Sequence, residues 1–252
     1  MPNETRTHAA ACTQTDATSL IDTGADRHRA EASRPSDATS AWMLSGFADP
    51  VQGSQAAFRT ALHALAHPGR LHAMPDAARC EAPAPLSMAM AALLLTLADG
   101  DTPIWLASEF DESIRRFLRF HNGCTLTDRP EKAAFAVLSA RSGDPWPALR
   151  TFAQGDAANP HTSTTLLIEL PMLDDTASSP STNTSYDARS AERVILHGPG
   201  IATTQTLHAI GLPADFWTQW RANQTHFPLG VDVFLVCGAT FCGLPRTTQR
   251  EA

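Results

Sequence analysis

The stretch that most constrains the fold lies near the end of the chain, at Val231–Val236. Its residues are apolar except for Asp232 near the start. A strand of this composition is usually covered on both faces, which places it in the middle of a sheet flanked by helices. A tight reversal and a second strand follow, and that strand ends in the polar segment Arg246–Thr248. The stretch therefore predicts a buried hairpin at the centre of the fold.

Strand and helix patterns alternate irregularly over the rest of the chain. This order predicts an α/β fold: one mixed β-sheet flanked by helices, in a single domain. The first helix is predicted to start at Pro50, capped by Asp49, and to end at His67–Gly69. Its inner face is predicted from four apolar residues at helical spacing, which are Phe58, Ala61, Leu62 and Leu65. A second helix, Ser87–Ala98, is apolar nearly all round, which predicts a buried position. A short helix is predicted over Pro145–Phe152.

Two segments depart from this pattern. Residues 1–45 are polar, with no sustained hydrophobic period, and are predicted to be a disordered N-terminal extension. Residues 173–192 are dominated by Ser, Thr, Asp and Asn, and are predicted to be a disordered insertion between two strands. The folded domain is therefore expected over residues 46–250.

Bulk composition excludes several classes of protein. A formal net charge of -7 argues against a nucleic-acid-binding protein, which needs a clustered basic face. No apolar stretch reaches the roughly 18 residues that a membrane span needs, and residues 1–40 lack the apolar run of a signal peptide. Five cysteines without regular spacing fit reduced thiols. We therefore expect a soluble cytoplasmic protein without nucleic-acid or membrane partners.

The scarcity of lysine restricts cofactor chemistry. The chain has a single lysine, Lys132, which lies in the polar turn Asp128–Lys132. A lysine that forms a Schiff base is usually desolvated, and a polar turn is a poor place for such an amine. Any Schiff-base lysine would have to be Lys132, and its position does not favour that role.

Seven polar residues are the candidates for an anion-binding site or a protein interface. They lie at turns and at the ends of predicted elements, and they are Arg70, Arg119, His121, His226, Asp232, Arg246 and Thr247. In one interpretation several of them converge on a pocket, with His226 and Asp232 paired as an acid and its orienting group. In the other, they make structural hydrogen bonds or subunit contacts. The residues alone identify no catalytic group and no reaction.

Three further patterns have a structural interpretation that we favour. His63 and His67 have metal-ligand spacing on a helix but lack the glutamate of the zinc-protease motif, so a packed or solvated helix end is expected. Cys237 and Cys242 are expected to be buried thiols. His197–Gly200 is expected to form a tight turn rather than a phosphate site, since its proline removes a backbone donor.

Eight segments, in order, resemble the PhnH subunit of the bacterial carbon–phosphorus lyase system. They are Asp49–Arg59, His67–Gly69, Leu93–Leu106, Leu118–His121, Ala133–Val137, Leu196–Ile201, His226–Asp232 and Leu244–Thr248. The N-terminal extension and the insertion depart from the family pattern.

The resemblance implies the fold of the pyridoxal-phosphate-dependent transferases without their cofactor. It also implies a homodimer when the protein is isolated, and a place in an assembly with PhnG, PhnI and PhnJ. With PhnG, PhnI and PhnL, the family supports synthesis of ribose 1-phosphonate 5-triphosphate from ATP and an alkylphosphonate, with release of adenine. Because the family assigns PhnH no catalytic residue, an accessory role is expected. The alternative is an enzyme subunit with its own phosphonate or nucleotide pocket.

Overall fold

In a computed structural model, the chain is described over residues 10–11, 43–140, 145–175 and 191–251. Within these residues it forms four α-helices: α1 (Pro50–Ala66), α2 (Met88–Leu97), α3 (Glu112–Asn122) and α4 (Phe216–Thr225). The strands of the same residues are β1 (Ala10–Ala11), β2 (Gly46–Phe47), β3 (His72–Ala73), β4 (Cys80–Glu81), β5 (Ile104–Leu106), β6 (Phe135–Ser139), β7 (Thr165–Glu169), β8 (Met172–Asp174), β9 (Ala191–His197), β10 (Gln205–Ile210), β11 (Asp232–Cys237), β12 (Thr240–Leu244) and β13 (Gln249–Arg250). Among the described residues, none of these four helices has both the length and the apolar character of a membrane span.

The predicted buried strand is β11, near the centre of a six-stranded mixed sheet. The strand order is β3-β12-β11-β7-β6-β5. The strands β5, β6, β7 and β11 run parallel, while β12 is antiparallel to β11 and β3 is antiparallel to β12. Val233, Leu235 and Val236 of β11 are fully buried, as their composition predicted.

Helices α1 and α2 cover this sheet. Ser87 caps α2 by accepting a hydrogen bond from the Met90 N–H, and six of the ten residues of the helix are buried while none is exposed, in agreement with the predicted buried position. Helix α1 packs on α2 and on β12. At that contact a Cβ on Gly243 would stand 2.8 Å from the Ala64 carbonyl oxygen, so only glycine permits the approach.

A separate antiparallel sheet has the order β1-β8-β10-β9-β13, and β2 pairs with β4 in a short third sheet. The fold is therefore mixed α/β, as predicted, but its strands are divided among several sheets. The chain passes from the first sheet to the second directly after β7, since only two residues separate β7 from β8.

The boundaries of the two predicted disordered segments need correction. Strand β1 lies inside the predicted extension, and β8 includes Leu173 and Asp174, which are both buried, from the predicted insertion. The pairing of β8 with β10 explains the second case, since it gives polar Asp174 a position in a ladder. Residues 1–9 and 12–42 of the predicted extension and residues 176–190 of the predicted insertion lie outside the described residues.

Two local predictions were wrong. Helix α1 has the predicted Asp49 cap, ends at Ala66 and buries Ala61 as predicted, but Phe58 and Leu62 of the predicted inner face are exposed and the buried residues are all small. Large side chains do not fit where α1 approaches β12 and α2 so closely. The predicted helix over Pro145–Phe152 is a single 3₁₀ turn at Leu149–Thr151, because prolines limit its start.

Candidate functional site

Arg246 lies at the centre of a side-chain hydrogen-bond network beside the hairpin formed by β11 and β12. Its Nε–H donates to Asp232 Oδ1 at 3.2 Å, and its Nη1 group donates to the carbonyl oxygens of Pro160 and Pro228, each at 3.1 Å. Its Nη2 group donates to Asp232 Oδ2 and to Ser163 Oγ. An arginine has five side-chain N–H donors, so this count leaves none for a ligand.

The surroundings of Arg246 support a structural role. The side chains of Arg246 and Asp232 are only 12% and 25% exposed. The Arg246 N–H also donates to Asp232 Oδ1, at 2.7 Å. The network joins the loop at residues 160–163, the turn before β11 and the end of β12. The geometry therefore favours the structural interpretation of Arg246 over anion binding, because its charge is compensated and its side-chain donors are used within the chain.

Of the two interpretations of His226 and Asp232, the geometry favours separate structural hydrogen bonds over a pairing as an acid and its orienting group. The Nδ1 of His226 makes its hydrogen bond with the carbonyl oxygen of Ala222, at 2.6 Å, one turn back on α4. Both carboxylate oxygens of Asp232 accept from Arg246. His226 therefore bonds within the end of α4, whereas Asp232 bonds to Arg246 at the start of β11.

Thr247 is half-buried beside the His197–Gly200 turn. A Cβ on Gly198 would stand 3.0 Å from the Thr247 carbonyl oxygen, so the two segments are in close contact. The Ile201 N–H donates to the Gly198 carbonyl oxygen, which confirms the predicted tight turn. Thr247 therefore belongs to an internal junction rather than to an open surface.

The remaining candidates lie on other parts of the fold. His121 Nε2, on α3, donates to the Leu44 carbonyl oxygen at 2.9 Å and so fixes the segment that leads into β2. Arg119 is exposed on α3, with its Nη1 at 3.7 Å from Glu112 Oε1. Arg70 is exposed after α1, where its charge acts on His72. These three side chains make no contact with the Arg246 network among the hydrogen bonds and ion pairs of the described residues.

A groove beside α4 is the better candidate for a ligand site. Its cavity volume is about 580 Å³, and its apolar lining includes Ala148, Leu149, Ala222 and Leu229. A second cavity of about 460 Å³ shares Ala148, Leu149, Asp215 and Gln219 with it. Both volumes lie within the range of small-molecule sites.

Most polar side chains in the larger cavity are committed to internal bonds. Gln219 accepts from the Leu149 N–H at 2.7 Å and donates to Asp215, while Asn223 makes two hydrogen bonds with the Val231 backbone. Within the described residues, the lining groups without a hydrogen-bond partner are the Arg150 guanidinium, the Thr218 hydroxyl and His226 Nε2. Such groups could bind a small anion.

Sequence analysis identified only His226 from this groove. Arg150 and Thr218 were missed because each is an ordinary surface residue in its own segment. Only the packing of α4 on the 3₁₀ turn at Leu149–Thr151 brings the two segments together.

The histidines at the end of α1 form a row with His72. The ring centroids of His63 and His67 are 5.8 Å apart, and those of His67 and His72 are 6.4 Å apart. Burial, followed by the charges of Arg70, His67 and His63, lowers the pKa of His72. Among the described residues, no three His, Cys, Asp or Glu side chains form a group suited to hold a metal ion.

The cysteines of the described residues are buried thiols outside any disulfide, as predicted for Cys237 and Cys242. Burial raises the pKa of Cys80 to about 12, and burial also raises the pKa of Cys242. At neutral pH these groups are therefore protonated and weakly nucleophilic. Lys132 is exposed in the 3₁₀ turn Pro130–Lys132, so its amine has no apolar pocket around it.

Comparison with known proteins gives a family. The model of the family described as "Bacterial phosphonate metabolism protein (PhnH)" matches residues 45–251. The PhnH subunit of alpha-D-ribose 1-methylphosphonate 5-triphosphate synthase from Rhizobium meliloti (strain 1021) is 34% identical over 206 residues, which are 81% of this chain and 94% of that protein. A putative C-P lyase subunit, HtxG of Stutzerimonas stutzeri, is 46% identical over 54 residues, 21% of this chain and 28% of that protein. The chain belongs to the PhnH family of bacterial phosphonate metabolism.

Proposed function

We propose that this chain is an accessory, non-catalytic subunit of alpha-D-ribose 1-methylphosphonate 5-triphosphate synthase. In this proposal it acts with PhnG, PhnI and PhnL in making the ribose 1-phosphonate 5-triphosphate from ATP and an alkylphosphonate, with release of adenine. It also assembles with PhnJ, and it forms a homodimer when isolated. The named function of the Rhizobium meliloti relative supports the assignment to this synthase.

One observation supports the accessory role: the charged side chains of Arg246 and Asp232 bond to groups of the chain itself. All five side-chain donors of Arg246 are used within the chain, and Asp232 is its counter-ion. A catalytic acid, base or anion clamp needs an uncommitted group that faces a space for substrate. The buried cysteines and the exposed Lys132 do not supply such a nucleophile.

The finer fold assignment is part of the same proposal. Four adjacent parallel strands with an antiparallel edge, covered by helices, are compatible with a transferase fold of the pyridoxal-phosphate type. The exposed position of Lys132 does not fit a Schiff base with that cofactor. We therefore propose a cofactor-free member of that fold.

The direct test is reconstitution of adenine release from purified PhnG, PhnI and PhnL, with ATP and methylphosphonate, in the presence and absence of this chain. We expect the rate to depend on the chain but to stay within about twofold of wild type in His226→Ala, Arg150→Ala and Arg119→Ala. A loss of about 100-fold in kcat for one of these variants, with assembly intact, would contradict the accessory role.

The alternative, a subunit with its own anion pocket, is favoured by one observation, the three uncommitted polar groups in the α4 groove. Calorimetry of the isolated chain with ATP, and separately with methylphosphonate, tests it. The accessory proposal predicts no saturable binding. Micromolar binding of either compound, lost in Arg150→Ala, would establish the pocket instead.

A further inference from the structure

Three histidines form a row that leads from the surface at the end of α1 to the edge of the six-stranded sheet. His63 and His67 are exposed at the end of the helix, whereas His72 begins β3 and is half-buried. The ring centroids are 5.8 Å apart for the first pair and 6.4 Å apart for the second. The row therefore brings three ionisable rings into one small region.

One ring nitrogen of His72 is buried without a hydrogen-bond partner. Within the described residues its Nε2 is inaccessible to solvent and has neither a donor nor an acceptor. The ring packs beside Phe241, with 6.5 Å between centroids. A neutral imidazole fits this position when Nε2 carries no proton. A protonated imidazole does not, because both nitrogens are then donors and a buried donor without an acceptor is costly.

The charges around His72 also oppose its protonation on balance. Three basic side chains face the ring from the end of α1 and from the turn after it, and they are His63, His67 and Arg70. Asp175, which follows β8, acts in the opposite direction. Cys242 of β12 lies near Asp175, and burial keeps it a neutral thiol. Burial first, and then the three basic neighbours, lower the pKa of His72.

Strand β3, which contains His72, is a short edge of the sheet. Among the described strands it pairs with β12 alone, through two residue pairs. Two further bonds flank it: the Leu71 N–H donates to Asp175 Oδ2 at 3.0 Å, and the Met74 N–H donates to the Ala239 carbonyl oxygen at 2.8 Å. A short edge segment with few bonds opens at a lower free energy than the core of the same protein.

We propose that β3 and the histidine row form a pH-sensitive switch at this edge of the sheet. In the closed form neutral His72 packs on β12, and β3 completes the sheet. In acid the imidazolium leaves its buried position, β3 separates from β12, and the backbone edge of Thr240 and Phe241 becomes accessible. The opening is confined to Leu71–Met74, so it differs from a loss of overall stability. The switch is independent of the proposed function.

Hydrogen exchange of the full chain tests the switch at the amides of Leu71 and Met74. Protection factors, which correct for the intrinsic effect of pH on exchange, are compared at pH 7.5 and pH 5.5, about one unit either side of 6.5. Because His72 has its ordinary pKa of 6.5 in the open form, the change at the lower pH is limited to about tenfold. We expect protection to fall by about three- to tenfold in wild type and by less than about 1.5-fold in His72→Gln.

The amides of α2 serve as the internal reference, because this helix lies in the core and its exchange reports global unfolding. A local opening predicts that Leu71 and Met74 exchange faster than α2 at both pH values. It also predicts that about 1 M urea speeds exchange of α2 but hardly affects these two amides. His161→Gln, at an exposed position, is the matched control and should retain the wild-type fall in protection.

The double variant His63→Gln/His67→Gln tests the row without changing the buried ring. Removal of two of the opposing charges should reduce the fall in protection without abolishing it, since burial still acts on His72. This variant also keeps the test available if His72→Gln does not fold.

Three outcomes would overturn the inference. An equal fall in wild type and His72→Gln, or no fall in wild type, would show that His72 does not control the opening. Equal exchange rates and equal urea dependence at β3 and α2 would show that the segment opens only by global unfolding. An unchanged fall in the double variant would show that His63 and His67 are not part of the switch.

Discussion

Arg246 shows at the scale of single residues how one side chain can hold three segments together. Its partners Pro160 and Ser163 precede β7, Pro228 precedes β11, and Asp232 begins β11. The planar guanidinium can bond to all of them at once, which a lysine ammonium cannot. The stability of the sheet near the start of β11 therefore depends on Arg246, a residue that the sequence also made a candidate for anion binding.

Replacement of Arg246 by Met is expected to lower the free energy of unfolding by about 3 kcal/mol. The change leaves the partly buried Asp232 carboxylate without its counter-ion and several acceptors without donors. Arg116→Met is the control. Arg116 is 59% exposed in its ion pair, so a loss within about 0.5 kcal/mol is expected. Urea unfolding followed by circular dichroism measures both variants, and equal stability of Arg246→Met and wild type would show that the network contributes nothing.

His72 is expected to make stability fall at acid pH. Burial and the neighbouring charges of Arg70, His67 and His63 lower its pKa in the folded protein from the ordinary 6.5, although Asp175 acts in the opposite direction. Above pH 6.5 both states are neutral at this residue and contribute no pH dependence. As the pH falls below 6.5, the unfolded state binds a proton before the folded state does, and stability is lost until the folded pKa is passed.

Urea unfolding at pH 7.5 and at pH 5.5 measures this effect, with the two pH values chosen about one unit either side of 6.5. Wild type should lose more stability between them than His72→Gln does. His161→Gln, at an exposed position, is the control and should retain the wild-type slope. If wild type and His72→Gln lose the same unfolding free energy between pH 7.5 and pH 5.5, His72 does not cause the pH dependence.

At the scale of elements, the start of α1 combines local signals that are readable in the sequence. Asp49 Oδ1 accepts hydrogen bonds from the N–H groups of Val51 and Gln52, each at 3.0 Å, and Pro50 occupies the first turn. These bonds satisfy donors that the helix itself leaves unpaired. The cap therefore fixes where α1 begins, and with it the position of Val51.

Asp49→Ala is expected to cost about 1 kcal/mol of unfolding free energy because it removes the cap. Asp49→Asn keeps a side-chain oxygen at the same position and should cost clearly less. Thermal and urea unfolding of the two variants can be compared directly. If Asn costs as much as Ala, the contribution of Asp49 comes from its charge and not from the cap bonds.

Helix ends and buried strands were predictable because their signals are local. Asp49, Ser87 and the run Val233–Val236 mark α1, α2 and β11 in the sequence. The inner face of α1 was not predictable, because the exclusion of Phe58 depends on its approach to β12 across a long stretch of chain. Strand β10 was not predicted, since Gln205, Thr206 and His208 interrupt its apolar pattern, and its pairing with β8 and β9 is what makes it a strand.

At the scale of the whole molecule, the Arg246 network and the groove beside α4 were the least predictable features. Arg246 and its partner Ser163 are 83 residues apart, and nothing local to either indicates the other. Arg150 and His226 reach the same groove from segments 76 residues apart, by the difference of their numbers. Family resemblance, carried by short motifs in order, did identify the family, which the match over residues 45–251 confirms.

The cofactor-free proposal makes a whole-molecule prediction. On addition of pyridoxal phosphate, the folded chain should show no site-specific Schiff-base absorbance at roughly 410–430 nm. Lys132→Ala should give the same spectrum as wild type, because Lys132 is an exposed amine outside any apolar pocket. A band in wild type that is abolished in Lys132→Ala would show that the chain binds the cofactor covalently.

The contact of α1 with β12 also determines when the protein can fold during synthesis. Ala64 and Gly243, which meet there, are 179 residues apart by the difference of their numbers. At about 5 to 20 residues per second, a ribosome needs roughly 10 to 35 s to reach the second after making the first. Throughout that interval the small-residue face of α1 has no strand to cover it. In a nascent chain arrested before β12, the small-residue face of α1 lacks its contact with that strand. The fold is therefore completed only after β12 has emerged from the ribosome.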